Sequence, residues 1–466
     1  MTMEVLADWV SKVSSVVWNG LLLYLLVGTG IVFTIRTRFV QVRKFGAGWK
    51  HLFGHFSLNG EKAGKDGMSP FQALTTAIAA QVGTGNIAGA ATALYSGGPG
   101  AIFWMWLSAF FGMSTIYGEA VLAQKYKTTD DKGHVTGGPI YYIRARFTGK
   151  FGKFLAGFFS VAIIFALGFT GNMVQANSIS VAFNTAFGAP MIVVGIICAI
   201  IAAFIFLGGV GRIAAVTEKV VPIMALFYMG GAVVVLWVHR ANLPQAFAQI
   251  CSMAFDTRAG TGGVLGYGMT QAVRAGVSRG IFSNEAGLGS SVMVHAAADA
   301  REPCEQGMWA VFEVFFDTIV MCSVTAFVIL TSGVYDVSRY ALASGTPLLS
   351  QLTTGAQLTA EAFSTVFGRF GGGFVAVSLA LFAFSTLLGW SYYGQRAAAY
   401  LMGERVIPVY KAAFLLAAVA GCMMRLEPVW ALSDTFNGLM ALPNLAGVLA
   451  LRRQVIAEWC RYKHHL

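Results

Sequence analysis

Charge is scarce in this sequence. Of 466 residues only 11% are Asp, Glu, Lys or Arg, against about a quarter in soluble domains. No long hydrophilic stretch stands apart, so no separate water-soluble module is expected. The six cysteines (Cys198, Cys251, Cys304, Cys322, Cys422 and Cys460) are scattered and never form C-x-x-C, which argues against a disulfide framework and a zinc site. The start of the chain lacks a short apolar run followed by a small-residue cleavage site, so no removable signal peptide is expected.

What is present is apolar. Hydrophobic residues make up 56% of the chain and glycine numbers 55. That is more apolar surface than one soluble core could hide, and the glycine content suits helices packed closely in lipid. Eleven stretches are long enough to cross about 30 Å of hydrocarbon: residues 15–35, 71–95, 98–124, 153–183, 190–210, 213–238, 262–298, 307–332, 362–401, 406–424 and 428–451. The seventh and ninth are too long for one straight crossing and are expected to contain breaks or extramembrane ends. The chain therefore reads as a single all-α, polytopic membrane domain over residues 1–466.

Basic residues orient it. The loop after the first span holds Arg36, Arg38, Arg43, Lys44, Lys50, Lys62 and Lys65. The loop after the third holds Lys125, Lys127, Lys132, Arg144, Arg146, Lys150 and Lys153, and the tail holds Arg452, Arg453, Arg461 and Lys463. With an odd number of spans these three segments share one side, while the other side holds Lys12, Arg240, Arg258, Arg339, Arg369 and Arg425. The positive-inside rule then places the N-terminus outside and the C-terminus in the cytoplasm. The net charge of +11 is thus a topology signal, not a nucleic-acid one.

The second span contains "IAAQVGTGNIAGAA", Ile78 to Ala91, with the weakest helix formers at its centre. Glycine costs about 1 kcal/mol relative to alanine inside a helix. Non-helical backbone at this depth survives only where it is buried in protein or lines a cavity. A broken helix offers N–H groups to an anion and C=O groups to a cation, and Gly83 and Gly85 let a ligand reach the backbone. Close packing through Gly85 and Gly89 would explain the glycines. It would not explain Gln81, Thr84 and Asn86 beside them. Residues 276–291, "GVSRGIFSNEAGLGSS", form a second such cluster in the seventh span. Spans two to six and seven to eleven then make two sets of five in opposite orientation, residues 71–238 and 262–451. Interrupted helices at matching positions of inverted halves point to a transporter's binding site.

"QVGTGNIAGAATAL", "GGPGAIFWMW", "RGIFSNEAGLGS" and "FAFSTLLGWSYYG" resemble the sequence blocks of the alanine or glycine:cation symporters, the sodium:alanine symporter family within the amino-acid/polyamine/organocation group. The likeness runs from about Leu21 to Leu451. It implies a LeuT-type fold of two inverted five-helix repeats, with the first span, 15–35, as an extra helix. It also implies sodium-driven import of alanine or glycine, with the substrate between the two broken helices.

By the same resemblance Gln81, Gly83, Thr84, Gly85 and Asn86 would cradle the substrate carboxylate. Ser283, Asn284, Ala286 and Gly287 would face them, and Phe169 and Trp390 would close the pocket. A sodium site would join the carbonyls of Ala79, Val82 and Phe382 to the hydroxyls of Ser385 and Thr386; oxygen ligands replace a hard cation's water. Hydroxyls bonding their own helix are the simpler reading of Ser385 and Thr386 taken alone.

Charge within a span is expensive and usually functional, which marks Arg274, Arg279, Glu285, Glu119, Glu313 and Asp317. Glu285 and Arg279 are expected to pair, as a gate or as a structural anchor. Apparent catalytic motifs fail on context. Gly276–Gly280 matches G-x-S-x-G but no α/β sheet is expected, His51 and His55 lack the Glu of H-E-x-x-H, and "GTGNIAG" is not a nucleotide loop. "TGGPIYY" at 136–142 reads as a turn or re-entrant contact. The expectation is therefore a sodium-coupled symporter of a small neutral amino acid in the cell (inner) membrane, working by alternating access. It would need no cofactor beyond the coupling ion, no nucleic acid and no obligate protein partner, with membrane lipid as its surroundings. A proton-coupled carrier and a polytopic membrane enzyme are the alternatives.

Overall fold

In the computed structural model, residues 18–46, 68–130, 133–255, 268–343, 351–424 and 426–462 are described, with Lys12 and Val16. Lys50, His51, His55, Lys62, Lys65, Lys132, Arg258, Arg425 and Lys463, and the first residues of the expected first and seventh spans, lie outside them. The described chain is almost wholly helical. One antiparallel hairpin, β1 (Thr128–Thr129) with β2 (Val135–Thr136), pairs Thr128 with Thr136.

Helix α1 (Leu23–Arg36) follows a π-helical turn at Trp18–Leu22. Helix α2 (Pro70–Gln81) starts sharply because Ser69 caps it: the Ser69 side chain accepts from the Gln72 N–H, Gln72 bonds back, and Pro70 occupies the first turn. It stops at Val82, whose ψ of 86° leaves the helical region. After Gly83 and Thr84 a π-helical turn, Gly85–Gly89, leads into α3 (Ala90–Gly97). The expected second span is thus one interrupted helix. The seventh behaves alike: α4 (Met269–Asn284) ends at Glu285, which adopts a left-handed φ of 56°, and regular helix resumes only over Val292–Ala296. For a residue with a Cβ that conformation is uncommon, and its neighbours must enforce it.

The ninth span, expected to contain a break or an extramembrane end, is divided. Residues 362–401 divide at Gly368, whose φ of +55° ends one helix, Gly355–Phe367, before another begins at Phe370 and runs to Met402. Among the described residues six helices are long and apolar enough to cross a membrane: Gly100–Lys125, Gly149–Phe187, Gly209–Val238, Pro303–Thr331, Phe370–Met402 and Glu404–Cys422. Leu23–Arg36 and Met191–Leu207 are shorter apolar helices.

The centre of the molecule is the helix Gly100–Lys125, against which α4 and the helix Pro303–Val314 pack. Glycine lets them approach. A Cβ on Gly276 would lie 2.1 Å from the Ala101 carbonyl oxygen, and one on Gly307 would lie 2.6 Å from the Tyr117 ring. Backbone cannot retreat as a side chain can, so such overpacking typically costs about 1–3 kcal/mol. Apolar side chains on the periphery point outward, Ile200, Phe204 and Leu207 on one helix and Ile223 and Leu226 on another. An apolar exterior around a polar interior is the layout of a membrane protein. Two long spans also carry π-helical turns, at Ile164–Gly171 and Phe315–Cys322.

Candidate functional site

The two interruptions meet. Gln81, the last residue of α2, donates from Nε2 to the carbonyl oxygen of Asn284, the last residue of α4, at 2.7 Å. Within the first break the backbone is held by amides. Asn86 Oδ1 accepts from the Gly83 N–H at 3.0 Å, and Gln175 Oε1 accepts from the Thr84 N–H at 3.2 Å. Asn86 Nδ2 turns to Asp317, donating to its carboxylate at 2.7 Å and its carbonyl at 3.0 Å. Ser283 Oγ donates to the same carboxylate oxygen at 3.0 Å, and Thr318 Oγ1 to the other at 2.8 Å. Asp317 therefore joins the two breaks from a third helix. Unpartnered buried groups are costly unless a ligand meets them. Among the described residues, Gln81 Oε1 and Thr84 Oγ1 are buried polar atoms without a partner.

Glycine at 83 and 85 has a steric reason. A Cβ at Gly83 would fall 2.4 Å from Thr386 Oγ1, and one at Gly85 would fall 3.0 Å from both Cβ and Oγ of Ser283. Beside Gly83 lies a nest of oxygens. Ser385 Oγ is 3.2 Å from the Ala79 carbonyl oxygen and 2.8 Å from that of Phe382; Thr386 Oγ1 is 3.1 Å and 3.0 Å from the same two. Two carbonyls and two hydroxyls from separate helices so converge. Val82, expected with them, is fully buried but supplies the turn, and the hydroxyls bond the other two carbonyls.

Other expected residues lie elsewhere. Ala286 borders a small cleft with Leu26, Val27 and Gly112. The Gly287 N–H donates to Glu119 Oε2 at 3.1 Å and its carbonyl accepts from Asn444 Nδ2 at 2.8 Å. Both therefore face away from the first break. One residue either side of the left-handed Glu285 the chain reverses, so neighbours in sequence diverge. Phe169 packs on Phe165 and Tyr410 at ring-centroid distances of 5.9 and 6.2 Å. Trp390 does reach the second break: its Nε1 donates to Glu285 Oε1 at 2.6 Å. The expected Glu285–Arg279 pair is replaced. Ser290 and Trp390 bond Glu285, whereas Arg279 pairs with Asp434 and lies 4.9 Å over the Trp430 ring. A helix ending between residues 279 and 285 turns their side chains apart. His295 and Glu313 also meet, at 2.7 Å. Gln175, Asn444 and His295 were not singled out by the sequence; an isolated amide or imidazole in an apolar stretch was the only signal.

Irregular backbone deep in an apolar helical bundle is how a secondary transporter exposes main-chain groups to a small solute, and the chain is a multi-pass carrier of that class. Its fold matches that of a Na+-coupled sialic acid symporter with a TM-score of 0.53 over 93% of this chain and 86% of that one, at 15% identity, which makes the architecture LeuT-type. The sequence is 43% identical over 450 residues to the sodium/alanine symporter AgcS of Methanococcus maripaludis, covering 96% of this chain and 95% of AgcS. It is also 38% identical to a probable sodium/glutamine symporter, GlnT, of Bacillus subtilis, over 97% of this chain and 90% of GlnT. The profile of the sodium:alanine symporter family matches residues 3–466, and the chain belongs to that family. It is a sodium-coupled amino-acid symporter and not an enzyme.

Proposed function

We propose that the protein imports a small neutral amino acid, alanine or glycine, with sodium by alternating access across the cell (inner) membrane. The observation that carries this reading is the pair of adjoining sites at the first break. The nest of Ala79, Phe382, Ser385 and Thr386 oxygens suits a hard cation. The unpartnered Thr84 and Gln81 oxygens beside glycine backbone suit the polar ends of an amino acid. The close approach of Gly85 to Ser283 favours a short side chain. Gln81, Gly83, Thr84, Gly85 and Asn86 from one break, with Ser283 and Asn284 from the other, form the cradle.

In this reading residues 71–238 and 262–451 are inverted repeats, the helix at 15–35 is additional, and the N-terminus is outside. Uptake of alanine, glycine and glutamine into proteoliposomes under an imposed sodium gradient tests it, with a proton gradient as control. Sodium-dependent accumulation of alanine or glycine is the expected result. Accumulation driven by protons alone, or of glutamine only, would overturn it.

A further inference from the structure

Glu313 is fully buried in the helix Pro303–Val314. Its Oε1 accepts from Gln81 Nε2 at 2.8 Å and from Ser291 Oγ at 3.0 Å, and its Oε2 faces His295 Nε2 at 2.7 Å. Gln81 closes the first half of one interrupted helix, while Ser291 and His295 belong to the second half of the other. One carboxylate so receives donors from both. With Nε2 as the donor to Oε2, three donors meet two oxygens, the pattern that suits an ionised carboxylate, which only accepts.

We propose that Glu313 is a positioning residue for transport: it sets the placement of the two interrupted helices, and a proton on His295 sets how firmly it does so. The inference rests on the breaks being the transport core. His295 Nδ1 lies 2.8 Å from Gln306 Oε1, so with the amide oxygen on that side both ring nitrogens face acceptors, the arrangement an imidazolium requires. Gln306 Nε2 has no partner among the described residues. When Nδ1 loses its proton, a half-turn of the Gln306 amide brings that idle donor to the bare nitrogen. The surroundings thus serve both protonation states. They differ in grip: the charged ring adds the attraction of opposite charges to its bond with the Glu313 carboxylate, which the neutral ring lacks. The titratable groups of the packed elements that act on Glu313 are Glu119, Glu285, Asp317 and Tyr393.

Cys322 reports the fit of the two breaks, because its Sγ lies 3.5 Å from Asn86 Nδ2 and 3.6 Å from Ser283 Oγ. With the other five cysteines replaced, its alkylation rate by N-ethylmaleimide is measured from acid to alkaline pH. Wild type is compared with Glu313→Gln, Glu313→Asp and His295→Gln, each as a ratio to wild type at the same pH. The expected ratio for His295→Gln is several-fold at acid pH, falling towards one as wild type loses the imidazole proton; that for Glu313→Gln falls over the same range but stays above one, because the bonds from Gln81 and Ser291 are weakened at every pH. Glu313→Asp restores part of the protection. Ratios near one, or ratios that do not change with pH, overturn the proposal; should Glu313→Gln not fold, His295→Gln and Glu313→Asp decide it. The labelling needs no substrate, so a failure to import alanine would count against the proposed function without touching this result.

Discussion

Gln81 and Asn284 stand 203 residues apart in the chain, and each is the last residue of a half-helix; the amide of the first is bonded to the carbonyl of the second. That bond spends a free C=O left by the end of one helix on a side chain from the end of the other. One free carbonyl at the end of the second half-helix is therefore satisfied by a side chain at the end of the first, which ties the two breaks together.

Removing the hydroxyls of the oxygen nest should weaken sodium binding. Thr386→Ala and Ser385→Ala are each expected to raise the sodium concentration for half-maximal uptake several-fold, with the protein still reaching the membrane. Sodium titration of uptake measures this. An unchanged sodium dependence in both variants would return the hydroxyls to bonding within their own helix.

Gly85→Ala should sharply reduce uptake, because its new methyl group meets Ser283 at about 3.0 Å. Alanine transport should suffer more than glycine transport. A second change, Ser283→Gly, removes two of the three opposing atoms and leaves the Cα at 3.1 Å, so part of any loss caused by contact alone should return in the double variant. Gly97, near in sequence, is no control: a Cβ there would lie 2.7 Å from that of Ala275. Gly230, with nothing within 4 Å, is the better one.

The clamp on the second break should be structural. Asn444→Ala takes the donor from Glu119 and from the Gly287 carbonyl, and the acceptor from the Tyr142 hydroxyl. Each buried group left unpaired costs about 1–3 kcal/mol, so a clear fall in Tm is expected in thermal unfolding of the purified protein. A Tm equal to wild type would show that water replaces the amide.

Orientation can be read by chemistry at exposed positions. In a background without native cysteines, cysteine at Arg339 should react with an impermeant thiol reagent in intact cells. Cysteine at Lys150 should react only after the cytoplasmic face is opened. The reverse pattern would invert the proposed topology.

Both interruptions were legible because glycine and amides crowd where a lipid-spanning helix wants neither, and the two do meet: Gln81 bonds the Asn284 carbonyl, Gly85 packs on Ser283, and Asn86 and Ser283 share the Asp317 carboxylate. The partners across the fold were not. Nothing near Arg279 in the chain names Asp434, 155 residues away, so local charge suggested Glu285 instead. Equally, no periodicity distinguishes Asp317, which joins the breaks, from other acidic residues in spans. The misplacement of Ala286 and Gly287 has a single cause. A left-handed turn at a glutamate, of all residues, reverses the chain, and propensity assigns such turns to glycine.

The wide turns at Gly85–Gly89, Ile164–Gly171 and Phe315–Cys322 have a bearing on how this chain tolerates changes in length. A π-turn closes its bonds five residues on rather than four, so it stores one surplus residue in an otherwise regular rod. Deleting one residue there would shorten the loop of backbone while leaving the faces above and below in phase. Anywhere else in the same rods, the deletion would rotate everything beyond it by roughly 100°. The widened turns are thus the bundle's expansion joints.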